Sequence, residues 1–289
     1  MAHSIKTFFE LLVPQYLLIT AISTISAYLL TNEQTFNLPI LILAILSLSL
    51  TMLGFNALNM VFDAKLDAIN KPNRPIPSGK LKKSTVFLIS ISLYFSGIII
   101  SLFVNDTLPI IIVVFSGISF IYTYPKLGLR KNILTTPIIG GILYGIIPFL
   151  TGWSITNNDL PIEFIVFFTL LITGISIIKD IEDVEGERKN NLNSIPLKLG
   201  IRKTLILSIS ILIIATFWII YFFIVKSIPE KFLFPIIISA GLIVYIGTLF
   251  KQYLKIQELE KPVTQSKLLT KLMMIIVVIQ FIFGITNII

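Results

Sequence analysis

Residues 87–104 read FLISISLYFSGIIISLFV, a run without a single charge or proline. A strand of a membrane barrel would show a segment of about ten residues with alternating polarity, and this run does not alternate. A hydrocarbon core about 30 Å thick takes about 20 apolar residues per helix. Backbone groups in lipid must be satisfied inside their own segment, so the run reads as a spanning helix. Counting this one, comparable runs bounded by charge, proline and asparagine lie near 9–30, 38–61, 85–104, 107–124, 133–152, 161–178, 203–225, 231–250 and 268–288. The sequence predicts an all-α polytopic membrane protein with nine transmembrane helices in one integral-membrane domain, 1–289.

Composition points the same way. Of 289 residues, 55% are hydrophobic and 13% charged, with a mean hydropathy of +0.92. A soluble domain is roughly 45–50% apolar and about 25% charged, so a water-soluble enzyme is excluded. Nine spans leave no room for a sizeable extramembrane domain. The first apolar run is too long for a signal peptide, lacks a small-residue cleavage site and precedes eight more spans. The absence of cysteine excludes disulfides, thiolate metal sites and a cysteine nucleophile.

The 23 basic and 15 acidic residues give a net charge of +8, which in a membrane protein first records topology. Lys65, Lys71, Arg74, Lys80, Lys82 and Lys83 follow the second run; Lys179, Arg188, Lys189, Lys198, Arg202 and Lys203 follow the sixth. Lys126, Arg130 and Lys131 follow the fourth, and Lys251, Lys255, Lys261, Lys267 and Lys271 the eighth. With Lys6, 21 of 23 fall on one side, and only Lys226 and Lys231 on the other. The positive-inside bias therefore predicts a cytoplasmic N-terminus, cytoplasmic even-numbered loops and an outer C-terminus.

Seven of the fifteen acids sit in two stretches on the cytoplasmic side. In NMVFDAKLD, Asn59, Asp63 and Asp67 recur at i, i+4, i+8; in DIEDVEGE, Asp180, Asp183 and Glu187 recur at i, i+3, i+7. Each set is one stripe of a helix, with Glu182 and Glu185 turned away. A solvated helix end accounts for one such pair. Two oxygen-rich stripes on the same side, four spans apart, point instead to hard cations, and Mg²⁺ suits them because it takes one or two carboxylates plus phosphate oxygens. Pro77 lies 14 residues after Asp63 in RPIPSGKLKKST, and Pro196 lies 13 after Asp183 in NSIPLKLGIRKT. The bundle is therefore expected to be two pseudo-repeated halves around a central cavity, each offering a metal stripe to a two-metal clamp for a diphosphate. Arg74, fixed among the prolines of KPNRPIPSG, offers a planar fork for phosphate oxygens. Lys126, Arg130 and Lys131 of YTYPKLGLRKN lie on the same side, where topology alone also explains a lysine.

NMVFDAKLDAINKPNRPIPSG and KDIEDVEGERKNNLNSIPLKLG closely resemble the two signature regions of the UbiA-type intramembrane prenyltransferases, and the nine-span layout fits that family along the whole chain. The resemblance implies that Asn59, Asp63, Asp67, Asp180, Asp183 and Glu187 bind Mg²⁺ and a prenyl diphosphate. It also implies that Arg74 and Lys126 contact the phosphates, with Tyr122 and Asn132 nearby and Arg130, Lys131, Lys179 and Arg188 completing the basic surround. Two departures stand out: Glu187 replaces an Asp, and Val13, Pro14, Gln15 and Tyr16 stand where many members have Arg-Pro-x-Asn. The second region is most similar to members that build archaeal ether lipids, which implies geranylgeranyl diphosphate as donor and geranylgeranylglyceryl phosphate as acceptor. Relatives that prenylate aromatic rings share both stripes and supply the alternative.

The chemistry expected is ionisation of an allylic C–O bond beside Mg²⁺ and Arg74, with capture of the prenyl cation by a hydroxyl. Asp63, Asp67 and Asp183 are the residues expected to carry catalysis, with Asp67 taking the proton, because the single histidine, His3, lies at the chain's start. An apolar cleft open to lipid would shield the cation. No nucleic acid and no obligate protein partner are implied. Gly141 and Gly145 form a GxxxG, which most often means close helix packing. Trp153 and Trp218 read as interfacial or packing residues, and Asn105-Asp106-Thr107 as a glycosylation sequon on the outer side. Intramembrane carboxylates also mark transporter pathways, but those sites lie near the midplane at broken helices, whereas these stripes sit at span ends.

Overall fold

The computed structural model describes residues 14–31, 36–127, 129, 132–156, 158–190, 192–256 and 262–288. All regular structure among them is helical. The order is α1 (Pro14–Thr31), α2 (Leu38–Phe62), α3 (Ala64–Asn70), α4 (Lys83–Ser101), α5 (Leu108–Thr123), α6 (Thr135–Gly141), a π-helical turn (Ile142–Ile146), α7 (Ile147–Trp153), α8 (Ile162–Lys179), a 3₁₀ turn (Asp180–Asp183), α9 (Val184–Lys189), α10 (Ile195–Ile224), α11 (Leu233–Ile256) and α12 (Pro262–Ile288). Among the described residues seven segments are long and apolar enough to cross a membrane: α2, α4, Thr135–Trp153, α8, α10, Glu230–Gln252 and Leu268–Asn287. Two shorter apolar helices, Leu17–Thr31 and Leu108–Thr123, stand where the sequence places the first and fourth spans. At 1.5 Å per residue α5 is about 24 Å long, and the described residues do not confirm the count of nine.

Local chemistry sets the boundaries. Asn37 accepts from Ile40 N at 3.3 Å and Pro39 occupies the first turn, starting α2. Ser194 and Pro196 start α10 in the same way, and a break at Gly200 (φ 77°, ψ 164°) separates its first turn from the span.

The two halves expected from the motifs share a specific contact. The α2 span packs against α4, where Ser90 Oγ donates to Gly54 O at 2.7 Å. The α8 span packs against α10, where Ser208 Oγ donates to Gly174 O at 2.6 Å. Gly54 precedes Asp63 by nine residues and Gly174 precedes Asp183 by nine. A Cβ on either glycine would lie 3.0–3.3 Å from the partner serine's carbonyl oxygen, so both close approaches need glycine. The GxxxG of the fifth run also serves packing: a Cβ on Gly141 would meet Thr173 Oγ1 at 2.3 Å, and one on Gly145 would meet Thr169 Cα at 2.9 Å, both on α8.

The bundle closes end to end, with α12 against α1 through Ser23 Oγ donating to Gln280 Oε1 at 2.9 Å and Asn287 Nδ2 to Leu29 O at 2.9 Å. Two large apolar cores result, with smaller clusters around Met60 and Tyr28. One, around Phe149, Phe167, Phe168 and Phe283, joins α1, α7, α8, α10, α11 and α12; the other, around Met52, Phe55 and Phe115, joins α2, α4, α5 and the π turn. Tyr144, in the π turn, packs against both. Asn105 and the tryptophans have structural partners: Asn105 Oδ1 accepts from Leu108 N and its Nδ2 donates to Ser154 O, while Trp153 and Trp218 donate to Asn158 O and Glu163 O.

Candidate active site

The two acidic regions meet where the cores adjoin. Asp63 caps the C-terminal end of α2, with its N–H bonded to Asn59 O at 2.8 Å, and α3 carries Asp67 one turn on. Across the bundle, Lys179 ends α8 and the 3₁₀ turn carries Asp180 and Asp183. Residues three apart eclipse in a 3₁₀ helix, so these two aspartates share one face. Asn59, Asp63, Asp67, Asp180 and Asp183 line a single cavity with Lys71, Arg74, Tyr122 and Lys179. Its inner wall is Phe55, Tyr144 and Ser176.

The charges in the cavity are paired across and within the halves. Arg74 Nη1 donates to both carboxylate oxygens of Asp67 at 2.8 Å. Lys71 Nζ lies 2.8 Å from Asp183 Oδ1, joining one half to the other. Asn70 completes the link: its Nδ2 donates to Asp183 O at 3.0 Å and its Oδ1 accepts from Gly186 N at 2.8 Å. Burial raises the Asp67 carboxyl, and the Arg74 charge offsets this only in part. Burial pushes Asp183 the same way, but Lys71, helped by Lys179 and Arg74, outweighs it and holds that carboxyl below the usual range.

The donor set suits a hard cation. All of it is oxygen, and Asn59 Oδ1 is a buried acceptor with no hydrogen-bond partner. Among the described residues no three carboxylates close into a ready-made ligand cluster. That agrees with Mg²⁺ chemistry, in which one or two carboxylates share the ion with phosphate oxygens and water. Four carboxylates against Lys71, Arg74 and Lys179 leave the wall one negative charge in excess. Two divalent cations and a diphosphate of about three negative charges would bring it to neutrality.

Some expected site residues lie elsewhere. Glu187 is buried off the cavity wall, where its carboxylate accepts from the Ser194 hydroxyl at the start of α10. Lys126, Asn132 and Arg188 are exposed and do not line the cavity, and Asn132 Oδ1 accepts from Leu134 N. Arg130 and Lys131 lie outside the described residues. Tyr122 is on the wall, with its hydroxyl donating to Thr136 Oγ1 at 3.2 Å. The sequence reading missed Lys71 as a site residue, together with Asn70, Tyr144 and Ser176. The only available signal was that Asn70 and Lys71 directly follow the first stripe; Tyr144 and Ser176 had none.

Two further spaces adjoin this one. A small, mainly apolar cavity between α1, α8 and α12 shares Tyr144, Ser176 and Lys179 with it and is otherwise lined by side chains such as Ile19, Ile172 and Met273. A more open one, shared at Asp63, Leu66 and Tyr122, carries Lys65 and Tyr124. The π turn explains the junction, since such a turn shifts the register of the side chains after it and Tyr144 stands between acidic and apolar space.

Residues 19–270 match the model of the UbiA prenyltransferase family. The chain is 31% identical over 283 residues to digeranylgeranylglyceryl phosphate synthase of Methanocaldococcus jannaschii, covering 98% of this chain and 97% of the relative. It is 34% identical over 229 residues to the synthase of the same name from Sulfurisphaera tokodaii, covering 76% and 80%. A solved structure concerning digeranylgeranylglyceryl phosphate synthase in membranes superposes with a TM-score of 0.70 at 27% identity, over 98% of this chain and 99% of that one. A UbiA homolog from Archaeoglobus fulgidus bound to GPP and Mg²⁺ superposes with 0.78 at 18% identity, over 98% and 99%, and shows the shared fold. Paired acidic regions converging on one cavity in an all-helical membrane bundle, and a family match across most of the chain, lead to one assignment: the protein belongs to the UbiA prenyltransferase family.

Proposed function

We propose that the protein transfers a geranylgeranyl group from its diphosphate to the hydroxyl of geranylgeranylglyceryl phosphate, forming the second ether bond of an archaeal lipid. The observation that carries this reading is that the acidic cavity and a neighbouring apolar one share Tyr144, Ser176 and Lys179 in their walls. The linings match the chemistry of a charged head beside a hydrocarbon tail. The curated relatives are synthases of this class.

Asn59, Asp63, Asp67, Asp180 and Asp183 would hold Mg²⁺, which would neutralise the diphosphate and stabilise it as a leaving group. The chain's own groups do the rest. Arg74, Lys71 and Lys179 bind phosphate oxygens, and the prenyl tail lies along Ile19, Ile172 and Met273. The allylic C–O bond breaks with both electrons leaving on the diphosphate, and the acceptor oxygen forms the new C–O bond to the allylic carbon. Its proton goes to Asp67, once Arg74 has turned from that carboxylate to the phosphates. Apolar walls keep water from the cation. The acceptor's phosphate enters by the open cavity beside Lys65. The positive-inside bias puts this entrance on the cytoplasmic side.

The test is transfer by purified protein in detergent with Mg²⁺, labelled geranylgeranyl diphosphate, and either geranylgeranylglyceryl phosphate or an aromatic acid. Product with the glycerol phosphate, reduced at least 100-fold in Asp63→Ala and Asp183→Ala, is the expected result. Intact transfer in those variants would overturn the site. Product with the aromatic acid alone would move the enzyme to another acceptor class.

A further inference from the structure

On the lipid-facing side of the bundle, away from the acidic cavity, α10 and α11 leave a groove lined by Arg202, Leu205, Ile206, Ile209, Gly247, Phe250 and Lys251. Arg202, Ile206 and Ile209 fall at i, i+4, i+7 along α10, and Gly247 and Lys251 at i, i+4 along α11, so each helix gives the groove one face. Gly247 makes the depth: a Cβ there would meet nothing nearer than Ile209 Cδ1 at 3.8 Å. Leu205 and Phe250 are buried and form the floor. The helices run in opposite directions, yet both cations stand at the same mouth, Arg202 near the start of α10 and Lys251 near the end of α11. That mouth is on the same side of the membrane as the acidic cavity, because α10 starts from Ser194, which bonds Glu187. Arg202 and Lys251 are exposed, and neither is paired with a carboxylate among the described residues.

We propose that this groove is a binding site for an anionic phospholipid, with its headgroup phosphate between Arg202 and Lys251 and one acyl or isoprenoid chain over Gly247. Charge decides the occupant. Topology alone would put basic residues at this level, but it does not place one from each helix at the open end of an apolar notch. A neutral lipid would fill the apolar part and leave both cations unmatched. A free phosphate would leave the notch empty. An anionic lipid satisfies both, and the arginine fork adds geometric fit to the phosphate.

The test titrates the purified full chain in detergent with phosphatidylglycerol and, separately, phosphatidylcholine, counting bound lipid by native mass spectrometry. The wild type should hold one phosphatidylglycerol in preference to phosphatidylcholine. Two basic residues near a lipid headgroup predict a loss of about 30-fold in phosphatidylglycerol affinity for Arg202→Gln/Lys251→Gln. Gly247→Leu, which fills the notch and keeps the charges, should weaken both lipids. Saturating inorganic diphosphate with Mg²⁺ should displace neither, since the acidic cavity is separate. Equal affinity for the two lipids, unchanged phosphatidylglycerol binding in the double charge variant, or displacement by diphosphate would each overturn the proposal. The charge variant is at exposed positions, so it decides the matter even where Gly247→Leu does not fold.

Discussion

Replacing Lys71 by methionine removes one ammonium, keeps most of the stem, and separates what this residue does at rest from what it does with substrate. At rest Nζ is 2.8 Å from Asp183 Oδ1, with the two side chains 21% and 12% exposed. An exposed pair would be worth up to about 1 kcal/mol, and orphaning a fully buried charge costs about 3–5 kcal/mol. This pair lies between, at about 2 kcal/mol. Asn70 still donates to the Asp183 backbone oxygen, so the loop stays attached. At about 2–4 °C per kcal/mol for a chain of this size, the unfolding temperature in EDTA should drop by about 4–8 °C. On the proposed function, bound Mg²⁺ would replace the ammonium beside Asp183 and Lys71 would turn to a phosphate, so the deficit should shrink. The intrinsic fluorescence of Trp153 and Trp218 follows unfolding in detergent, and a steady-state assay should show KM for the prenyl diphosphate raised about tenfold for one lost charge-assisted contact. A deficit of equal size with and without Mg²⁺ and diphosphate, or unchanged KM, would refute the exchange of partners.

Asn70→Ala removes the three side-chain bonds by which Asn70 ties α3 to the second acidic region; kcat/KM should fall about 10- to 100-fold, as for residues that orient metal ligands, with a higher Mg²⁺ concentration for half-maximal rate, and an unchanged Mg²⁺ dependence would argue against a positioning role. Gly145→Ala places a methyl 2.9 Å from the Thr169 backbone, whereas Gly117→Ala meets nothing within 4 Å. The first should destabilise by about 1–3 kcal/mol and the second should be neutral or better, read as unfolding temperatures in one detergent. The Asp183 carboxyl, held low by Lys71 against its burial, contributes stability that is complete above the unfolded carboxyl's pKa of about 3.9 and is lost as pH falls through the depressed folded value. In EDTA the unfolding temperature should therefore decline below pH about 4, less steeply in Asp183→Asn than in the wild type; parallel acid limbs would contradict the ion pair.

What could be seen in the sequence and what could not divide along the range of the interactions. Asn59, Asp63 and Asp67 are spaced for one helix face, and although α2 ends at Phe62, the near-helical backbone of Asp63 (φ −86°, ψ 4°) carries the stripe across into α3. Asp180 and Asp183 stay aligned through a 3₁₀ turn for the same local reason. Glu187 fits the stripe by arithmetic, but a new helix begins at Val184 and the Ser194 hydroxyl takes its carboxylate, a contact that the spacing does not show. Lys71 read as one more cytoplasmic lysine because its partner is 112 residues away. Tyr144 reaches the site through a π turn, which no apolar periodicity announces.

The resting ion pairs give the cavity a purpose that neither stripe has alone. Without cations, Asp67 and Asp183 are buried acids that would cost several kcal/mol each if left unpaired, and Arg74 and Lys71 remove that cost. The same two bases are the groups a diphosphate would attract. On the proposed function, substrate entering with divalent cations would meet a wall already near neutrality and would exchange partners with it, carboxylates to metal and bases to phosphate. The Lys71–Asp183 bond also crosses from the first half to the second, as do the Asn70 bonds. On that function, exchanging this bond would loosen one tie between the halves as the diphosphate came to bridge them, so the substrate would replace a structural link with a reactive one.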